Sequence, residues 1–162
     1  MCAGIALYWR DLPQNLLEHY RLQTRIVRRT PEAEPEVRFM YRDTRPLLPA
    51  WFGNQLGVYT WGNQNPKSRL PKTGWVRWEV IEAGLWSRLH PEEVQIPASL
   101  GLERGVWYKI REGVRGVLVY DEQRAPHIYM LTQPADHYYR VMTRHSRMPM
   151  LLEAVSQPEF VK

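Results

Sequence analysis

The sequence predicts a strand-rich α+β fold in one domain spanning residues 1–162. Three observations carry that expectation. Short runs of β-branched and aromatic residues recur along the chain, bounded by Gly, Pro, Asn and Asp. Helical spacing appears in only a few short stretches. Strands and helices do not alternate as a βαβ fold requires, so the sheets are expected to be mixed or antiparallel. There are no internal repeats, no low-complexity tracts and no linker.

The elements follow in order. Gly4 to Tyr8 is an apolar strand. Asp11 precedes Pro13, and Leu16, Leu17 and Tyr20 fall at helical spacing, which predicts a capped helix from about Pro13 to Arg21. Thr30 to Glu36, with two prolines and three acids, is a surface loop. Val37 to Arg42 and Leu56 to Trp61 read as strands. Gly62 to Gly74 is polar, with Pro66 and Pro71, and reads as a long exposed loop of the kind that often carries function. Trp75 to Ile81 is strand-like, followed by a helical turn within Glu82 to Leu89. Val94 to Ile96 is a short strand ending at Pro97. Val106 to Arg111 and Val114 to Tyr120 predict a hairpin around Glu112-Gly113. His127 to Thr132 is a strong strand, Pro134 to Val141 a short helix, and Met150 to Leu152 a last short strand.

Composition narrows the function classes. Hydrophobic residues make up 44% of the chain and charged residues 24%, ordinary for a globular protein. A single cysteine excludes an internal disulfide and any cysteine-rich zinc site. No apolar run approaches the about 20 residues of a membrane span, and Trp9, Arg10 and Asp11 interrupt any signal-peptide pattern, so the expected compartment is the cytoplasm. The net charge is +5. Arginines cluster at Arg21 to Arg29, Arg38 to Arg45, Arg69 to Arg77 and Arg140 to Arg147, interleaved with seven tryptophans and nine tyrosines. Guanidinium groups pair with phosphate and aromatic rings stack on unpaired bases, as a single-strand nucleic-acid groove requires.

No phosphate-binding glycine loop, dinucleotide fingerprint, HExxH or CxxC is present. The five histidines share no helical face at ligand spacing, so neither a metal nor a cofactor is expected. The informative residue is Cys2. Without Met1 the chain would begin with a 1,2-aminothiol, whose amine and thiol both titrate near physiological pH. The amine can add to an aldehyde to give an imine, and the thiol can close on that carbon to form a thiazolidine. Two segments could serve this chemistry: Pro97-Ala98-Ser99-Leu100-Gly101-Leu102-Glu103, ending in an acid, and Arg144-His145-Ser146-Arg147-Met148-Pro149, followed by Met150-Leu151-Leu152. A carboxylate can relay a proton at the amine, and a histidine can serve the leaving oxygen.

These segments resemble the SOS response-associated peptidase family, the SRAP domain. Met1-Cys2 resembles the family's Met-Cys-Gly-Arg start. Pro97 to Glu103 keeps the Pro-Ala and final Glu of its Pro-Ala-Asp-Gly-Phe-Tyr-Glu segment. His145 to Pro149 is similar to its His-Asp/Asn-Arg-Met-Pro element, and Tyr41 and Trp61-Gly62 resemble its Arg-Tyr-Asn and Trp-Gly segments. The resemblance implies an SRAP-like barrel with peripheral helices. It implies a cytoplasmic monomer, nucleoid-associated when bound, that senses abasic sites in single-stranded DNA during the DNA damage (SOS) response and crosslinks to them through Cys2. It gives the catalytic roles to Cys2, Glu103 and His145. The DNA contacts would be Arg77, Arg147 and Arg69, with Trp75 and Trp61 stacking on bases. Activity of the hydrolase or lyase kind, including removal of Met1, depends on freeing Cys2. The family's Asn-Ala-Arg-Ala-Glu segment is matched by Trp75-Val76-Arg77-Trp78-Glu79, with Trp75 in the place of the Asn, and the Arg after Cys-Gly is missing. Two alternatives stand beside crosslinking: a relative that binds single-stranded DNA without reacting, and a cysteine-type peptidase limited to self-processing.

Overall fold

The computed structural model describes residues 1–152 and 161. Its strands are β1 (Gly4–Tyr8), β2 (Ile26–Val27), β3 (Glu36–Met40), β4 (Leu47–Phe52), β5 (Gln55–Trp61), β6 (Trp75–Arg77), β7 (Glu92–Ile96), β8 (Leu100–Glu103), β9 (Val106–Lys109), β10 (Val114–Tyr120), β11 (Pro126–Pro134) and β12 (Arg147–Pro149). The helices are α1 (Gln14–His19), α2 (Trp78–Glu82) and α3 (His137–Thr143). The α+β, strand-rich single domain is the fold observed.

Two sheets share one core. The first is antiparallel throughout, in the order β2-β3-β1-β8-β9. The second runs β10-β7-β4-β5-β11-β12, and β10 also pairs with β11. That extra pairing joins β4, β5, β11, β10 and β7 into a closed ring, which removes the exposed edges a flat sheet would leave. β11 is its hub: it runs parallel to β5 and β6 and antiparallel to β10 and β12. β11 is also almost wholly buried, as its apolar run His127 to Leu131 requires. The main core draws Ile5, Phe39 and Tyr108 from the first sheet and Leu48, Ile96, Leu118 and Ile128 from the second.

Several expectations are corrected by packing. The hairpin around Glu112-Gly113 does not form, although both of its strands exist. β9 pairs with β8 in the first sheet and β10 with β7 and β11 in the second. The edge at the start of β10 is taken by the chain's later segment: Arg115 N–H donates to the Met150 carbonyl and Leu152 N–H to the Gly113 carbonyl. The last strand among the described residues lies at Arg147–Pro149 rather than Met150 to Leu152, with Leu151 forming an isolated bridge to Val114. The strand expected from Trp75 to Ile81 stops at Arg77 and turns into α2. Asp11 does not cap α1, because Pro13 occupies the cap position without a side-chain bond. α3 begins later than Pro134, where the Asp136 carboxylate accepts the Tyr139 N–H at 2.7 Å. Gly62 to Gly74 contains no regular element, as expected of a loop.

Candidate active site at the amino terminus

The chain start is held between two strands. Ala3 N–H donates to the Leu102 carbonyl of β8, and the Ala3 carbonyl accepts from Tyr41 N–H beyond β3. β1 continues that pairing, with Gly4 opposite both Met40 and Leu102. The terminal residues are thereby laid along β8 toward its end, where Glu103 sits.

Glu103 is 2% exposed and meets the Met1 ammonium at 3.0 Å through Oε2 and 3.2 Å through Oε1. The Tyr139 hydroxyl donates to Oε2 at 3.3 Å. Among the described residues no Lys, Arg or His side chain lies within ion-pair distance of this carboxylate. A buried charge without a partner costs several kcal/mol, roughly 3–5 when one member of a buried pair is removed. The Met1 ammonium therefore supplies the charge that partners this buried carboxylate.

Cys2 is fully buried. Its thiol donates to the Gly4 carbonyl at 3.1 Å, and its carbonyl accepts the Trp75 indole N–H at 3.0 Å. Burial pushes the thiol pKa up. Hydrogen bonds from Tyr108 and with the Gly4 and Leu102 backbone work against that rise, and the Glu103 charge adds to it. The sulfur is a protonated, shielded thiol at neutral pH and needs a base to react.

His145 reaches the same place from α3. The helix ends at Arg144, whose carbonyl accepts from Arg104 Nη1 at 2.8 Å, so the end of β8 and the turn into β12 are tied together. The His145 Nδ1 accepts Arg147 N–H at 3.0 Å. The same nitrogen lies 3.1 Å from the Arg147 carbonyl, so the Arg147 backbone engages Nδ1 in either tautomer, while Nε2 has no hydrogen-bond partner among the described residues. Met1, Trp75, Arg77, Thr132, His145 and Arg147 line one cleft of about 290 Å³. His145 thus shares a cleft with Met1, whose ammonium meets Glu103, while Cys2 is buried and does not line that cleft.

The DNA-contact candidates divide. Arg77 is exposed on the cleft rim and makes no ion pair among the described residues. Arg147 also lines the cleft, but its guanidinium is engaged: Nη2 contacts Glu79 Oε2 at 3.0 Å and the Thr132 carbonyl at 2.8 Å. The Glu79 carboxyl is held below its usual range first by this hydrogen bond. Arg147 is a strut of the wall before it is a ligand for phosphate. Arg69 lies on the long loop, whose backbone is fastened there by Arg69 N–H donating to Glu122, and it does not line the cleft. Trp61 is a correction. Its ring is fully enclosed and its N–H donates to the Gly74 carbonyl at 2.8 Å, so no base can stack on it. A side chain at Gly74 would strike both Trp61 and Tyr41, so this glycine lets the rings close up. Trp75 is half-buried, with Tyr41 at 4.6 Å and Trp61 at 5.7 Å behind it. It presents the accessible aromatic surface of the cleft.

Tyr108 and Tyr139 were not singled out from sequence. Nothing in a Trp-Tyr strand or a Tyr-Tyr helix start distinguishes them from core residues. The one local signal is Gly101, which pairs directly opposite Tyr108 and leaves room for its ring.

No family model, curated protein or solved structure matches this chain.

Among the described residues no group of three or more His, Cys, Asp or Glu side chains is placed to hold a metal ion. Among the described residues no helix is long and apolar enough to cross a membrane.

Proposed function

We propose that this protein, once Met1 is removed, reacts through Cys2 with the open-chain aldehyde of abasic sites in single-stranded DNA, as the resemblance to SRAP domains implies. The observation that carries the reading is a buried carboxylate whose cationic partner among the described residues is the terminal amine of Met1, which lines a cleft with His145, Arg77 and Trp75. Removing Met1 transfers the free amine to Cys2, beside a thiol. Glu103 then accepts a proton from the ammonium. The sugar hemiacetal opens first, its C1 hydroxyl losing a proton to solvent as His145 donates one to the ring oxygen and is reprotonated from solvent; the amine then adds to the aldehyde carbon. Glu103 returns that proton to the carbinolamine hydroxyl and water leaves to give the iminium; the Cys2 sulfur then adds to the iminium carbon, its proton going to the carboxylate as the thiazolidine closes. Arg77 holds a flanking phosphate and Trp75 stacks on a neighbouring base. In a cell such a protein would associate with the nucleoid.

A second reading, binding without reaction, is favoured by one contact. The Trp75 indole occupies the Cys2 carbonyl from the position where SRAP domains carry an Asn. An oligonucleotide bearing an abasic site separates the two. Crosslinking predicts a heat-stable adduct with the protein that starts at Cys2 and none with Cys2→Ala. Equal non-covalent retention by both proteins, with no adduct, would leave only the binding module.

A further inference from the structure

The stretch between β11 and β12 is an excursion closed at its base. Pro134 pairs with Arg147, and Ala135 N–H donates to the Ser146 carbonyl at 2.9 Å. α3 lies inside it, and the chain returns to β12 through His145. The return needs a sharp turn. Arg144 is left-handed, with a φ of 58°, and its N–H donates to the Arg140 carbonyl at 2.8 Å. A bulky residue in that region is strained, and its surroundings must hold it there. The holding contacts fall on one group, the peptide between Arg144 and His145. Its carbonyl accepts from Arg104 Nη1 at 2.8 Å, and its N–H donates to Thr143 Oγ1 at 3.3 Å. Both supports lead back to Glu103. Arg104 follows Glu103 directly in the chain. The Thr143 hydroxyl gives its proton to the Tyr139 carbonyl at 2.7 Å, which leaves lone pairs for the His145 N–H. Tyr139 donates its own hydroxyl to Glu103 Oε2 at 3.3 Å. Thr143, Tyr139 and Glu103 are all buried. Fixing a peptide plane fixes the backbone from which the next side chain projects, and the Arg147 backbone then engages the ring at Nδ1.

We propose that Thr143 and Arg104 are positioning residues for His145, clamping the Arg144–His145 peptide so that the imidazole keeps a fixed place relative to Glu103. The inference rests on the crosslinking reading and concerns the step in which His145 donates to the ring oxygen of the sugar. Neither residue exchanges a proton with the substrate. Their contribution is orientation. An acid must lie within hydrogen-bond reach of the atom it protonates, and a displacement of about 1 Å costs on the order of 10² in rate. The two supports are unequal. Thr143 is 2% exposed, so its hydroxyl holds the peptide without competition from water. Arg104 is exposed, and water competes for its contact with the carbonyl. The larger effect is therefore expected at Thr143. In Thr143→Val the His145 N–H loses its acceptor, and the strained turn relies on Arg104 and the helix end alone.

The test uses protein beginning at Cys2 and a saturating single-stranded oligonucleotide with one abasic site, so that weakened binding does not enter the rate. Thr143→Val, which keeps the shape of the side chain, should form adduct at least about tenfold more slowly. Thr143→Ser, which restores the hydroxyl, should return the rate close to that of the wild type. Arg104→Met should slow the reaction by a smaller factor. A residue acting only through overall stability would slow adduct formation whether or not the imidazole is present. Thr143→Val should therefore cost nothing further once His145→Asn is in place. A wild-type rate in Thr143→Val, or the same slowing in the His145→Asn background, would overturn the clamp. If the wild type forms no adduct, the crosslinking reading fails separately. The clamp is then decided by amide hydrogen exchange. Thr143→Val should speed exchange at the His145 N–H at least about tenfold while the β11 amides stay unchanged. Equal exchange at His145 in both proteins, or faster exchange throughout β11 as well, would overturn it.

Discussion

His127 and His145 stand in similar company and differ in what they leave open. His127 looks like half of a catalytic dyad, with Nε2 2.9 Å from Asp121 Oδ2. Its other nitrogen, however, faces the Gly62 carbonyl at 2.7 Å, and the ring is buried. Both nitrogens point at acceptors inside the fold. The result is a clamp that fastens the start of the 62–74 loop to the turn after β10, reinforced where Glu122 accepts from Ser68 and from Arg69 N–H. His145 has one nitrogen satisfied by backbone and the other free beside a cleft. A histidine next to a carboxylate is therefore weaker evidence for chemistry than a histidine with one unengaged nitrogen near a terminal amine.

The largest effect expected from breaking this contrast is at Glu103. Glu103→Gln should slow crosslinking by about 10²–10⁴, the range for a lost acid–base group, while the affinity for unmodified single-stranded DNA stays nearly constant. An equal loss in both, measured by adduct kinetics and fluorescence anisotropy, would make Glu103 structural. The two histidines should then part company. His145→Asn should slow adduct formation by about 10²-fold with little change in melting. His127→Asn should lower stability by about 1–3 kcal/mol, from buried groups left unpaired, with the adduct rate unchanged. Denaturant titration and adduct kinetics on both variants read this directly, and the opposite pattern would exchange their roles. Arg77→Ala comes next, weakening DNA binding by about 1.5–3 kcal/mol across sequences and lowering its salt dependence. Unchanged affinity would move the DNA path elsewhere.

The smallest expected effects are on pH dependence. The folded Cys2 thiol has a raised pKa, chiefly from burial. Its contribution to stability is complete below the unfolded thiol value of about 8.5 and is lost as pH rises through the folded value. Cys2→Ala should flatten that alkaline limb. For Asp121, burial raises the pKa, but hydrogen bonds from His127 and from the Ala125 and Gln123 N–H groups outweigh it and leave the carboxyl low. Its contribution is present above about pH 3.9 and is lost as pH falls through the folded value. His127→Asn should blunt that acid limb.

Much of the strand content was legible because a buried strand must be apolar: β1 and β11 follow directly from Gly4-Ile5-Ala6-Leu7 and Ile128-Tyr129-Met130-Leu131. The pairing was not. Val106 to Arg111 and Val114 to Tyr120 read as neighbours because a turn lies between them, but which face each strand buries is settled by β7, β8 and β11. β4 and β8 were missed for related reasons. Pro49 interrupts Leu47–Phe52, and Gly101 interrupts Leu100–Glu103, and both breaks are tolerated because the neighbouring strands supply the packing. At the site, Cys2, Glu103 and His145 could be named from residue type and motif. Tyr139, which donates to Glu103, could not, because that contact joins a helix and a strand that share no sequence proximity. The basic clusters over-counted free cations. Arg29 and Arg38 grip Glu36 and lie 4.4 and 4.9 Å from the Trp107 ring, and Arg25 pairs with Asp43 at 2.9 Å. Composition records the charge of an arginine and not the partner that neutralises it.

The central claim is that the first amine of the processed chain reacts while seated on Glu103. The most direct measurement is peptide mapping by mass spectrometry of the adduct formed between Cys2-starting protein and an abasic oligonucleotide. The account predicts the sugar remnant on the amino-terminal peptide alone, as a ring spanning the Cys2 nitrogen and sulfur. A remnant on an internal lysine, or an amino-terminal peptide recovered unmodified, would contradict it.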